Sequence, residues 1–229
     1  MQHNAAGYTA AVLPPEARAA LAEGAAALGV PLEAAQLDAL DRYVALLLDW
    51  NRKLNLTAVT DPRAIVDKHL LDSIAVVPAL VGSEVLDVGT GPGLPSVVLA
   101  IARPELRITA VESIHKKVAF VRAVSRELKL PITVEPIRLE AREVAPTFDV
   151  AVSRATFEPA EWVARGAGFV REGGRLVAML SSTQALPSAP TGFGEANVVE
   201  HRIGDAVRRV VFFERQGTGH RAQGTGHSE

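Results

Sequence analysis

Gly89, Gly91 and Gly93 alternate with Thr90 and Pro92 between two apolar runs, Val85-Leu86-Asp87-Val88 before them and Leu94 to Ala102 after. Without a Cβ, the backbone there turns sharply and lets a ligand approach the main chain. Strand, glycine turn and helix in this order build the nucleotide pocket of a doubly wound α/β sheet. Asp87 narrows the ligand. A carboxylate ahead of the turn repels a pyrophosphate and suits a group carrying an ammonium or sulfonium charge. The Gly-x-Gly-x-Gly spacing also puts Leu94 where a dinucleotide fingerprint needs its third glycine. The pattern fits S-adenosylmethionine better than NAD.

Three further groups of residues bear on chemistry. Glu112 ends the second predicted strand, twenty-one positions after Gly91, where an acid reaches the ribose hydroxyls of a nucleoside. Just past the third strand, Leu139-Glu140 is placed to flank an adenine ring. Arg154 follows the fourth strand and either faces the reacting methyl group or serves as a surface partner of Glu158. His69, Asp72 and Ser73 fall at i, i+3 and i+4 of one helix and share a face. On periodicity alone they form a His–Asp pair on a solvated face. A Ser-His-Asp triad is not expected, because no Gly-x-Ser-x-Gly turn accompanies them. Arg52, Lys53, Arg63, Lys68, Lys116 and Lys117 form either a basic rim for a polyanion or scattered solvated cations.

The elements that must position these residues are legible. Pro14-Pro15 opens a helix ending near Leu28 with Gly29 after it. A second helix spans about Leu32–Leu54, with Leu37, Leu40, Val44, Leu47 and Leu48 on one face. Asp61-Pro62 reads as an N-cap and first helical position of a third helix running to Val77. From Glu84 strands and helices alternate, the signature of a parallel sheet. Strands are expected at Val85–Val88, Arg107–Val111, Ile132–Glu135, Phe148–Ser153 and Arg175–Leu180. Helices are expected at Leu94–Ala102, Ile114–Leu128 and Glu158–Phe169, with a short one near Glu140–Val144. Asn197–Ile203 and Val207–Glu214, separated by Gly204-Asp205, form a β-hairpin. The division expected is a helical cap over 1–80, a methyltransferase-type domain over 81–216 and a low-complexity tail over 217–229. The tail repeats Gly-Thr-Gly-His, which two-histidine spacing alone does not make a metal site; no metal is expected.

Composition bounds the rest. The 229 residues are 48% hydrophobic and 22% charged, enough for a sizeable core. There are no cysteines, hence no disulfides or thiolate metal sites. The net charge of −2 gives no global attraction for a polyanion, so a nucleic-acid role needs a local basic face. No apolar run approaches the roughly 18 residues of a membrane span, and no export signal is apparent. A cytoplasmic, non-membrane, monomeric protein is the expectation.

Several ordered motifs together resemble the bacterial 16S ribosomal RNA guanine-N7 methyltransferase family, first named for glucose-inhibited division protein B. They are Asn55-Leu56-Thr57, His69-Leu70-Leu71-Asp72-Ser73, Asp87 through Pro95, Lys116-Lys117-Val118-Ala119-Phe120 and Ser153-Arg154-Ala155. The resemblance runs from about Leu54 to Glu214. It implies a Rossmann-like class I S-adenosylmethionine-dependent methyltransferase fold, mostly parallel, with a C-terminal β-hairpin and a helical cap in front. It implies S-adenosylmethionine as cofactor, with Asp87, Gly89, Gly91, Gly93, Leu94, Glu112, Leu139, Glu140 and Arg154 around it. Arg154 and His69 would serve catalysis. Asn55, Asp72, Ser73, Lys116 and Lys117 would meet the substrate, 16S rRNA or the small ribosomal subunit.

Four departures stand out. Ser96 occupies a position that is usually glycine in the family, and Leu180-Ser181-Ser182 replaces Leu-Lys-Gly. Arg209 stands where many members have histidine, and the segment before the hairpin is shorter, without its helix. A guanine N7 carries a free lone pair and no proton, so the expected chemistry needs alignment rather than a general base. Two other readings compete. One is a family member that binds the cofactor or rRNA without catalysis, and the other is a small-molecule methyltransferase. A nicotinamide dehydrogenase fits the glycine spacing worst.

Overall fold

The computed structural model describes residues 12–217; the two Gly-Thr-Gly-His repeats and most of the expected tail lie outside that range. Helix α1 (Pro15–Ala27) begins at a proline whose missing N–H costs nothing at a first turn. Asp41 fixes its approach by accepting from the Val12 and Leu13 amides. Helix α2 (Ala34–Leu54) starts with a capping box between Glu33 and Gln36 and ends at Asn55, which takes φ 47°. The Gln36 amide also donates to the Ile101 and Ala102 carbonyls, tying the start of α2 to the end of a sheet-side helix.

The third helix departs from expectation. Asp61 caps it as predicted, accepting from Ala64 N–H at 2.8 Å. Instead of one α-helix to Val77, however, the chain runs as α3 (Pro62–Ile65), a π-helical turn (Val66–Leu71) and α4 (Asp72–Ile74). A 3-10 turn over Val77–Ala79 follows. A π-turn adds a residue to the helical repeat and re-aims the side chains after it, a feature frequent at functional sites. The i, i+3, i+4 reckoning from the sequence therefore does not describe how His69, Asp72 and Ser73 point.

The sheet has seven strands in the order β3-β2-β1-β4-β5-β7-β6. These are β1 (Glu84–Val88), β2 (Arg107–Val111), β3 (Ile132–Glu135), β4 (Phe148–Arg154), β5 (Val170–Ser181), β6 (Asn197–Ile203) and β7 (Ala206–Glu214). The first five are parallel, and β7 enters antiparallel between β5 and β6. Gly204, at φ 57°, makes the tight β6–β7 turn possible. Between the strands lie α5 (Ser96–Ala102), α6 (His115–Glu127) and α7 (Pro159–Gly166). The short helix expected near Glu140 is only a 3-10 turn, Leu139–Ala141. Nor does β5 start after Gly173-Gly174. It starts at Val170, and the glycines form a bulge across which pairing jumps from Phe148↔Val170 to Val150↔Arg175.

Apolar side chains fill both faces of the sheet. On one face α1, α2, the π-turn, α5 and α6 share a single cluster that includes Leu21, Tyr43, Leu70, Val97 and Phe120. On the other face, Trp162 of α7 packs with Phe148, Leu176 and Phe213 and donates its ring N–H to Val177 O. The first helices thus join the sheet in one core, and they bring the π-turn to the carboxyl end of β4.

Candidate active site

The carboxyl ends of β1, β2 and β4 converge on a cavity of about 370 Å³, within the range of small-molecule sites. Gly89, Glu112, Lys117, Leu139, Glu140 and Thr156 are among its lining. The glycine turn is held from several sides. Gly89 and Thr90 donate to Val111 O, and Gly91 N–H donates to Glu112 Oε2 at 3.0 Å. The Tyr43 hydroxyl, wholly buried on α2, donates to Pro92 O at 2.9 Å. Burial pushes the Tyr43 phenol well above its ordinary pKa, so it remains a donor. Glu112 is 6% exposed and accepts from Ile114 N–H through its other oxygen at 2.8 Å. Each carboxylate oxygen keeps a second lone pair for a ligand hydroxyl.

Each glycine has its own reason. Gly89 has φ 73°, and a Cβ on it would overlap the Thr156 hydroxyl. Gly93 has φ 91°, and a Cβ there would press on Val97. Gly91, at φ 59°, is different: beyond it there is open space, with nothing nearer than Gly89 O at 4.0 Å. That opening and the acceptors of Glu112 suit an adenosyl ligand with free ribose hydroxyls.

Asp87 corrects the sequence reading. It is 0% exposed, lies behind the turn and does not line the cavity. Its Oδ2 accepts from the Ser96 amide at 3.1 Å and the Ser96 hydroxyl at 2.5 Å, while Thr90 donates to Ser96. Burial raises its pKa, opposed by these hydrogen bonds. Asp87 therefore organises the start of α5 instead of meeting a cationic ligand. Ser96, the departure from the usual glycine, fills that role with its hydroxyl. Gly91, Gly93 and Leu94 are buried in the turn and also lie outside the lining.

Arg154 turns away from both expected partners. Its guanidinium is not among the cavity-lining groups, and it does not meet Glu158. One nitrogen donates to Lys68 O in the π-turn at 3.0 Å and to Asp72 Oδ2 at 3.1 Å, with the arginine 19% exposed. The sequence reading missed a second cation on the same carboxylate, Arg208 of β7, 3.7 Å from Asp72 Oδ1. Attention falls on Arg209 in the sequence, but Arg209 pairs with Glu200 at 2.7 Å. Alternation along β7 separates the two arginines onto opposite faces, and only a known strand order shows which meets Asp72.

His69 is no member of a solvated His–Asp pair. It is 8% exposed, and its Nε2 meets the Thr57 hydroxyl at 2.9 Å. Burial, reinforced by the Arg154 charge, lowers its pKa and keeps the ring neutral at pH 7. Ser73 is 0% exposed and donates to His69 O at 2.7 Å. Its expected contact with RNA is overturned, since no surface of it reaches solvent. Asn55 is exposed at the end of α2, where its left-handed backbone closes the helix. Lys116 donates to Leu54 O at 2.6 Å, which satisfies a terminal helix carbonyl. Lys117 lines the cavity. The six expected rim cations are thus divided: Arg63 pairs with Asp67 and Arg52 with Asp49, and Lys116 caps α2.

Ala155 and Thr156, absent from the sequence-based site, link the two halves. Ala155 has φ 51°, a left-handed conformation costly for a residue with a Cβ. That turn sends Arg154 toward the π-turn and Thr156 toward Gly89, whose carbonyl lies 3.3 Å from the Thr156 hydroxyl.

Known proteins carry the same pattern. The family model GidB, rRNA small subunit methyltransferase G, matches residues 36–186, more than half of the chain. A protein named ribosomal RNA small subunit methyltransferase G from Anaeromyxobacter dehalogenans (strain 2CP-1) is 49% identical over 165 residues, covering 70% of this chain and 77% of that protein. One of the same name from Xanthomonas campestris pv. campestris (strain 8004) is 45% identical over 211 residues, covering 88% and 96%. Among solved structures, a SAM-dependent methyltransferase from Aquifex aeolicus superposes with a TM-score of 0.52 at 18% identity. It covers 69% of this chain and 96% of that one. That likeness bears on the fold, which is Rossmann-like. By the family match and by both relatives, the chain belongs to the GidB family, rRNA small subunit methyltransferase G.

Proposed function

We propose that this protein transfers a methyl group from S-adenosylmethionine to N7 of a guanine in 16S rRNA. One observation supports the donor site above the others: a glycine turn open at Gly91 beside Glu112, above a cavity that Leu139 and Glu140 also line. Glu112 would take the ribose hydroxyls, and Leu139 with Ile114 would border the adenine. When bound, S-adenosylmethionine supplies a methyl on a sulfonium sulfur, a carbon electrophile for which the N7 lone pair is a suitable acceptor. N7 has no proton to lose, so no general base is required. The neutral, buried His69, engaged by Thr57, fits a positioning part better than proton transfer.

The acceptor side centres on Arg154, Asp72 and Arg208. Two guanidiniums against one carboxylate leave one positive charge in excess, suited to a phosphate or to guanine O6 without crowding N7 with cations. The target guanine belongs to a loop or an open assembly intermediate, because the major groove of A-form RNA is too narrow for such access. The protein is proposed to act in the cytoplasm, as a monomer. Among the described residues no helix is long and apolar enough to cross a membrane.

The test is methyl incorporation from labelled donor into small ribosomal subunits and naked 16S rRNA lacking the modification, with the product base identified as N7-methylguanine. Incorporation at another atom, or into a free metabolite instead of RNA, overturns the acceptor reading. Binding of the donor without transfer to either substrate supports the non-catalytic alternative.

A further inference from the structure

The largest cavity described, about 540 Å³, lies away from the glycine turn and has no part in the site above. Its walls are α1, the far side of the π-turn and the β6–β7 turn, and they carry Glu23, Arg63, Asp67, His201, Arg202 and Gly204. Two connections join it to the Arg154–Asp72 cluster. Asp67 is the neighbour of Lys68, whose carbonyl takes the Arg154 hydrogen bond. His201 is the cross-strand partner of Arg208, which contacts Asp72.

The polar groups in this cavity are only partly satisfied. Asp67 Oδ2 accepts from Arg63 Nε at 3.0 Å, but Oδ1 is buried and has no hydrogen-bond partner. A buried carboxylate oxygen without a donor is costly, and a ligand N–H is what it lacks. Arg63 engages Asp67 through Nε alone, which leaves its two terminal nitrogens for another acceptor. Arg202 makes no hydrogen bond or ion pair with another described residue. Glu200, by contrast, is already held by Arg209. The cavity therefore offers guanidinium donors for an anion and one acceptor for an N–H, with small residues at Gly24 and Gly204 giving access. Gly204 sits so close to Asp67 that a Cβ there would lie 2.9 Å from Oδ2.

We propose that this cavity binds a second ribonucleotide of the acceptor strand, near the methylated guanine. Its phosphate lies on Arg202 and Arg63, and a base-edge N–H is given to Asp67 Oδ1. The inference rests on the rRNA reading above and deepens it. It explains why a chain of net charge −2 needs no broad basic face. One strand gripped at two pockets on either side of the π-turn is oriented by geometry as well as by charge.

The experiment compares the wild type with Arg202→Ala and Asp67→Asn on undermethylated small subunits. KM for the subunit is measured at several salt concentrations, and the donor dissociation constant is measured alongside. Arg202→Ala is at an exposed position and tests the phosphate without disturbing the core. We expect its KM to rise roughly tenfold, with kcat and donor affinity within twofold. Losing one phosphate contact on single-stranded RNA also reduces the salt slope of log binding by about 0.7. Asp67→Asn, which places an amide where the orphan oxygen was, should raise KM with the salt slope unchanged. Wild-type KM and salt slope in Arg202→Ala overturn the proposal even while the wild type methylates RNA. If the wild type methylates no RNA, the rRNA reading itself falls.

Discussion

Gly89→Ala is the sharpest probe of the turn, because two separable costs meet at one atom. Residue 89 has φ 73°, and an alanine held there costs about 1–2 kcal/mol. The added Cβ also overlaps the Thr156 hydroxyl and lies 2.7 Å from Thr156 Cβ, closer than real contacts allow. Overpacking of that kind costs about 1–3 kcal/mol. The sum, roughly 2–5 kcal/mol, should lower Tm by roughly 4–20 °C in a chain of this size. A double-mutant cycle separates the parts. In a Thr156→Gly background the overlap vanishes, so Gly89→Ala should then cost only its backbone share, a coupling of about 1–3 kcal/mol. Thr156→Ala keeps the Cβ and should relieve only part of it; no rotamer change clears that atom. Urea unfolding of the six proteins measures all of this. Additive costs, with a coupling below about 0.5 kcal/mol, would refute the claim that Thr156 occupies the space beside Gly89.

Three other outcomes follow from the site. Glu112→Gln leaves only one oxygen for the Gly91 and Ile114 amides, and loss of a charged hydrogen bond costs about 1.5–3 kcal/mol. The donor dissociation constant by calorimetry should therefore rise roughly 10- to 150-fold, and an unchanged value removes Glu112 from the binding pocket. Burial and Arg154 lower the His69 pKa, so below pH 6.5 the unfolded chain binds a proton that the native one refuses. Stability is then fully present above about pH 6.5 and drains as pH falls, by up to about 1.4 kcal/mol per pH unit; His69→Gln should flatten that limb, and an identical limb in the variant defeats the assignment. Arg154→Lys keeps the charge but not the planar fork that serves Lys68 O and Asp72 together. It should lower kcat/KM for the subunit roughly 10- to 100-fold with donor affinity within twofold; a large loss of donor affinity would instead put Arg154 in the donor pocket.

Strand order and the glycine turn were readable because both depend on local pattern. Alternating elements fixed β1 to β5, and Gly204-Asp205 fixed the final hairpin to within a residue of its observed ends. Glu112 and Leu139-Glu140 followed, since strand ends point at the crevice whatever the rest of the chain does. Asp87 misled because its position next to the turn says nothing about which side of the strand it faces; Ser96, nine residues on, claims it. His69, Asp72 and Ser73 misled for another reason. Their faces were reckoned at 3.6 residues per turn, and the π-turn between Val66 and Leu71 breaks that period. Arg208 was invisible until β7 had a place in the sheet, because its partner Asp72 lies more than a hundred residues earlier.

The short run Arg154-Ala155-Thr156 explains why donor and acceptor sites need no lid to be in register. Thr156 is anchored at Gly89, on the donor cavity, and Arg154 at Lys68 O and Asp72, on the acceptor side. Only Ala155 separates them, and its left-handed backbone reverses the chain so that the two side chains diverge. A strained residue is kept where surrounding contacts over-determine it, and here both neighbours are pinned by partners on different elements. Relaxing Ala155 to an ordinary backbone would cost either the Thr156 wedge or the Arg154 fork. The spacing between methyl donor and acceptor is thus set by one residue of β4's extension rather than by the helical cap closing over the sheet. Proximity of that kind carries much of the rate in a reaction that needs no proton transfer.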